Sequence, residues 1–143
     1  PEFDTPAHCR WWLAGERGVV QVQIQLTPEQ PPRVQSLSLA VPPAAGSPLH
    51  DTLAAVVTWM NGTDREWPAA VPVAPGVDAA LLARRLRMAA FWAGAGQVGA
   101  CQAGDGNASV AVELIGAHGR LTLALVVDPH TRLLHLANVT PEP

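Results

Sequence analysis

At 143 residues the chain has room for one domain of ordinary size with a sizeable core. Hydrophobic residues make up 48% of it and charged residues 15%, below the roughly 25% charged of a typical globular domain, and the formal net charge is −3. Lys is absent, which excludes Schiff-base catalysis, a Ser-Lys dyad and a P-loop Lys, and the acidic balance with scattered Arg argues against a nucleic-acid partner.

Residues 8–14 are aromatic-rich and end at Gly15. Val20, Val22, Ile24 and Leu26 then alternate with Gln21, Gln23 and Gln25, the period of a strand with one buried and one wet face. Pro28, Pro31 and Pro32 make the next stretch a turn, because proline cannot donate to a ladder. Residues 34–41 alternate again, Leu37, Leu39 and Val41 inward and Ser36 and Ser38 outward, and stop at Pro42-Pro43. Short connections make these three strands antiparallel.

A small-residue linker follows. Ser47 is a helix cap before Pro48, and Leu49, Leu53, Val56, Val57 and Met60 recur at helical spacing up to Asn61-Gly62. Residues 63–76, with Pro68, Pro72, Pro75 and Gly76, read as a loop anchored by Trp67. Asp78 caps a second helix to about Trp92, with Leu81, Leu82, Leu86, Ala89, Ala90 and Phe91 inward and Arg84, Arg85 and Arg87 mostly outward. Strands return at 97–103 (weakly, broken by Gly99), 108–115, 120–127 and 132–139, the last two joined by a tight turn at 128–131. The longest apolar run, 121–127, is far short of the ~20 residues that span a bilayer, and no signal peptide is visible.

Two stretches about a hundred residues apart match one another. Leu13-Ala-Gly15-Glu-Arg-Gly18 aligns on Leu114-Ile-Gly116-Ala-His-Gly119, and Val22, Ile24, Leu26 and Pro28 fall on Leu123, Leu125, Val127 and Pro129. After one gap, Arg33, Leu37 and Pro42 match Arg132, Leu136 and Pro141. The expected fold is α+β, a single domain over 1–143. Duplicated antiparallel β-units of about seven strands in all (1–43 and 95–143) curve around two central helices in segment 44–94. Two helices precede the second unit and none precedes the first. Either both units share the helices in one curved sheet, or another chain or additional sequence covers the first unit.

Chemistry is thin. His130 and His135 flank the last hairpin near Asp128, but at that spacing a strand turns them to opposite faces, and His8 and Cys9 diverge likewise. Ser36, Ser38, Ser47 and Ser109 lie in no nucleophile motif. Asp64 and Glu66 share a loop, and Asp51 suits a helix first turn. Glu113 sits inside a strand; alternation turns it outward, and only an inward Glu113 would line a pocket and serve as a base. Gly94-Ala-Gly96-Gln-Val-Gly99 spells a dinucleotide fingerprint in the reverse context, after a helix and before a strand. Cys9 and Cys101 read as two buried thiols rather than a disulfide. All three Asn, at 61, 107 and 138, sit in glycosylation sequons, read as coincidence. No catalytic residue, metal or cofactor is expected. The candidates for ligand or partner contact are Trp11, Trp12, Trp67, Trp92 and Glu113. Trp11 and Trp12 cannot share one face of a regular strand, so one of them faces a second layer, a partner or a groove.

The run from Gly119 through Val127, Asp128-Pro129-His130-Thr131 and on to Leu136 resembles the closing hairpin of ketosteroid-isomerase-like (nuclear transport factor 2-like) domains. Residues 22–39 are similar to the same hairpin in domains that precede some bacterial serine-hydrolase (β-lactamase-like) modules. The resemblance implies an accessory, partner-facing module with the catalytic Ser elsewhere. The isomerases use Tyr and Asp, and this chain has no Tyr. The Lys-free, Tyr-free composition fits GC-rich bacterial coding, which favours a bacterial cytoplasm over secretion. If the opening Pro1-Glu2-Phe3 is a vector scar, the chain is a piece of a longer protein. The expected function is a non-catalytic binding or assembly module, its partner another protein chain or domain, a homodimer included. The alternative is a small-molecule pocket protein of isomerase-like type.

Overall fold

A computed structural model describes residues 2–142 apart from 6, 17 and 95. Among the described residues, four strands come first: β1 (Glu2–Thr5), β2 (His8–Gly15), β3 (Gly18–Leu26) and β4 (Val34–Val41). Helices α1 (Pro48–Asn61) and α2 (Ala79–Ala93) follow, then β5 (Gly96–Asp105), β6 (Ser109–Gly116), β7 (Arg120–Val127) and β8 (Leu134–Pro141). The strands form one mixed sheet in sequence order, antiparallel throughout except for β4 and β5. The fold is α+β. β1, paired with β2, is a strand the sequence periodicity does not reveal.

Both helices begin where their caps require. The Ser47 hydroxyl accepts from the His50 N–H at 3.2 Å with Pro48 in the first turn, and Asp78 Oδ1 accepts from the Leu81 N–H at 3.0 Å. α2 ends at Gly94, whose φ of 78° is left-handed and whose N–H returns to the Ala90 carbonyl. Its buried side is Leu82, Ala83, Leu86, Ala90 and Ala93. The small side chains on this stripe let the helix lie close to the sheet. That reverses the expectation for Leu81 and Phe91, which each lie one residue, about 100° of rotation, from the stripe and are exposed. Arg87 is half-buried rather than outward.

The core lies between the helices and the second half of the sheet. Leu49, Leu53, Val56, Trp59 and Met60 of α1 and the inner stripe of α2 meet Val110, Val112, Leu114, Leu121, Leu123, Leu125, Val127 and Leu134. Each fully buried leucine contributes about 1.5–3 kcal/mol from burial alone. No described residue of β1–β4 joins this core; the buried apolar side chains of that half, Val22 and Ala40, lie outside it.

Sheet register gives the reason. Ala40 pairs with Gly104, and Gly104 pairs with Val110, whose side chain enters the helix-covered core. Residues paired across a ladder share a face, so the Ala40 side of β4 continues the helix-bearing side of the sheet. Leu37 and Leu39, with their β3 partners Ile24 and Val22, therefore fall on the far side. The helices do not sit at the centre of a sheet curved around them; they cover β5–β8.

The two halves are joined by two register pairs, Ala40–Gly104 and Val41–Asp105. Gly104 has φ 128°, and a Cβ there would stand 2.3 Å from the Ser109 carbonyl oxygen. Only glycine fits this junction.

Candidate functional site

The apolar face of the first meander is continuous across β2, β3 and β4. Register sets Trp11 opposite Val22 and Leu13 opposite Val20, with Val22 opposite Leu39 and Ile24 opposite Leu37. Leu13, Leu37 and Leu39 are 54%, 62% and 55% exposed. Leu114, which the sequence alignment sets against Leu13, is 3% exposed beneath the helices. Monomeric proteins rarely leave so many large apolar side chains together on one sheet face.

The candidate residues do not converge. Trp11 is half-buried on this apolar face, while Trp12, one residue on, is exposed on the opposite face with Gln21. The divergence is the one that strand alternation requires. Trp67 anchors the 63–76 loop: its indole N–H donates to the Val71 carbonyl at 2.7 Å, and its ring meets that of Trp59 at 5.3 Å between centroids, tilted by 58°. Trp59 in turn donates to the Glu66 carbonyl at 2.7 Å. Trp59 falls outside the candidates drawn from the sequence, although its place three residues after Val56 on the inward face of α1 marks it.

Trp92 lies over the β6–β7 turn, so close that a Cβ at Gly119 would come within 2.8 Å of its ring. Beside it the His118 N–H donates to the Ala93 carbonyl at 2.8 Å, which latches the end of α2 to that turn. Trp92 packs on this turn, and about half of the residue remains exposed.

Glu113 faces away from the helix core and accepts from Arg120 Nη1 at 2.8 Å. An inward Glu113 lining a cavity is thus overturned: β6 buries Val110, Val112 and Leu114, and the alternate residue has to point outward. On the same side the Thr122 hydroxyl lies 2.8 Å from Gln102 Oε1 and 2.7 Å from Glu142 Oε1. Hydrogen bonds from Gln102 first and Thr122 second hold the Glu142 carboxyl below its usual range.

Two aspartates organise turns. Asp105 Oδ1 accepts the backbone N–H groups of Asn107, Ala108 and Ser109 at 2.8–2.9 Å, and these bonds, Ser109 foremost, lower its pKa. Asp128 does the same with Thr131 and His130. Both cysteines are free; burial is the main influence on Cys101 and raises its pKa, which keeps it a thiol and a poor nucleophile. Among the described residues no group of three His, Cys, Asp or Glu is placed to hold a metal ion. Among the described residues, no helix is long and apolar enough to cross a membrane.

An open cleft of about 380 Å³ lies between α2 and β8, beside Leu82, Arg85, His135 and Ala137. Deeper between helices and sheet, a void of about 10 Å³ is lined by residues such as Val57, Ala93, Leu114 and Leu121. That is room for one water at most. A larger groove lies between the end of α1, the loop after it and one flank of α2. No protein-family model, curated protein or solved structure matches this chain.

Proposed function

We propose that the chain is a non-catalytic binding and assembly module whose contact surface is the apolar face of β2–β4. The observation that carries this reading is the exposure of Leu13, Leu37 and Leu39 on one sheet face, on the side turned away from α1 and α2. Burying such a face is the main favourable term in most protein association. A second copy of the chain is the first partner to test, since α2 also presents an outward apolar stripe of Met88, Phe91 and Trp92. Sheet face and helix stripe in one molecule allow a closed two-fold pair, each copy offering both halves of the contact.

In this reading β2–β4 and β6–β8 are copies of one unit. Their hairpins are alike: β2 and β3 close at Gly15 opposite Gly18, and in β6–β7 the Gly116 N–H donates to the Gly119 carbonyl at 2.9 Å. The second copy carries its own helical cover and the first takes its cover from a partner. The module is then an accessory, ketosteroid-isomerase-like domain of the kind that precedes bacterial serine-hydrolase modules. The void of about 10 Å³ enclosed beneath the helices, too small for a substrate, supports an accessory role over isomerase-like catalysis.

Native mass spectrometry at low micromolar concentration tests the assembly. A dimer without added mass is the expected result. A monomer at every concentration, carrying a discrete small-molecule adduct, would overturn it in favour of a pocket protein.

A further inference from the structure

Between the end of α1, the loop after it and one flank of α2 runs a groove of about 940 Å³. Small-molecule sites span roughly 300–1,000 Å³. Its charge is one-sided, with Arg65, Arg84 and Arg87 in the lining against Glu66. Its apolar wall includes Met88 and Phe91, 67% and 89% exposed.

Arg87 is the informative residue. Its guanidinium lies over the Trp59 ring, 4.4 Å from the centroid, and Nη1 donates to the carbonyls of Met60 at 3.3 Å and Gly62 at 2.6 Å. These contacts fix the side chain and leave its other edge idle: Nε and Nη2 are buried with no hydrogen-bond partner. A guanidinium is always charged, and donors withdrawn from water without a partner are destabilising. Nε and Nη2 together form one side of the guanidinium fork, the spacing that the two oxygens of a carboxylate match.

We propose that the groove binds a small carboxylate with an apolar body. The carboxylate takes the Nε and Nη2 edge of Arg87, and the body lies along Met88 and Phe91. Both nitrogens are closed to bulk water in the free chain, so binding includes a local opening of the groove floor. An inorganic anion satisfies the charge but leaves the apolar wall bare. The groove uses no residue of β2–β4 but shares Met88 and Phe91 with the α2 stripe offered to a second copy. Titrating an L37E/L39E variant, in which that contact is broken, therefore separates the two readings.

Isothermal titration of the full chain with octanoate, 1-octanol and inorganic phosphate tests this. Octanoate is expected to bind about tenfold tighter than octanol, a difference of about 1.4 kcal/mol, and phosphate to be weaker still. R87Q should reduce octanoate to the level of octanol. A80W, which adds bulk from an exposed groove position on α2, should weaken both. Equal affinity for octanoate and octanol, phosphate binding as tightly as octanoate, no octanoate heat at roughly 1 mM, or a preference that survives R87Q would overturn the proposal. Arg87 also holds the end of α1, so R87Q is checked for folding. Should it not fold, the octanoate-to-octanol ratio in the parent chain and the loss in A80W decide.

Discussion

Single side chains in this protein act mainly as ties between elements. Asn61, the last residue of α1, donates to the Gly96 carbonyl at 2.7 Å and accepts from the Gly96 N–H at 2.8 Å, pinning the helix end to β5. N61A is expected to cost about 1 kcal/mol in urea denaturation, since both Gly96 groups fall back on water. A loss below the scatter of the measurement would mean the pair is not formed in solution. Asp105 has a pH signature. Its folded pKa is depressed, so its contribution is complete above the unfolded value of 3.8 and is lost as pH falls through the lower folded value. D105N, a weaker acceptor, should lower Tm by roughly 2 °C at neutral pH, a small effect because solvent screens the site. The gap should narrow towards pH 3, and a gap unchanged across that range would refute the assignment. The sequence placed such residues well where a local rule applies: Ser47 and Asp78 as caps, Trp67 as loop anchor, Glu113 outward. It could not show Asn61 meeting Gly96, a contact that depends on how a helix end docks on a strand 35 residues later.

Among the elements, alternation and helical spacing made both helices and seven of the eight strands legible, although β5 and β8 each run two residues past the expected end. β1 was missed because four residues hold too short a pattern. The inner face of α2 was legible at Leu82, Leu86 and Ala90 but not at Ala83 and Ala93, because hydrophobicity favours Leu81 and Phe91 whereas close packing on the sheet selects small side chains. The junction of β4 with β5 was invisible, since parallel pairing is not written in a local pattern. Its dependence on glycine is testable. G104A forces a side chain into positive φ and against the Ser109 carbonyl, and should destabilise the protein by about 2–3 kcal/mol. Urea midpoints for parent and variant measure this; equal midpoints would show that the junction tolerates a side chain.

At the scale of the whole molecule, the two halves of the sheet differ in cover. Similar alternation buries Leu114, Leu123 and Leu125 under α1 and α2, yet leaves Leu13, Leu37 and Leu39 bare. The sequence exposed this imbalance by placing both helices before the second unit only. It could not decide between shared helices and an outside cover, because that turns on which side of the sheet each apolar face takes. The register through Ala40, Gly104 and Val110 shows only that α1 and α2 do not cover the bare face, which lies on the other side of the sheet. The candidate tryptophans were legible as large uncommitted side chains, but their destinations, over a turn, in a loop and on two faces of β2, are tertiary facts.

The most direct measurement is the solution mass of the L37E/L39E double variant beside the parent chain at low micromolar concentration. Both positions are exposed and outside the core, so the variant should fold as the parent does, with Tm as the check. A dimeric parent and a monomeric variant are expected, because a buried unpaired carboxylate disfavours association strongly. A parent that is monomeric throughout, or a dimer that the two glutamates leave intact, would contradict the β2–β4 face as the assembly surface.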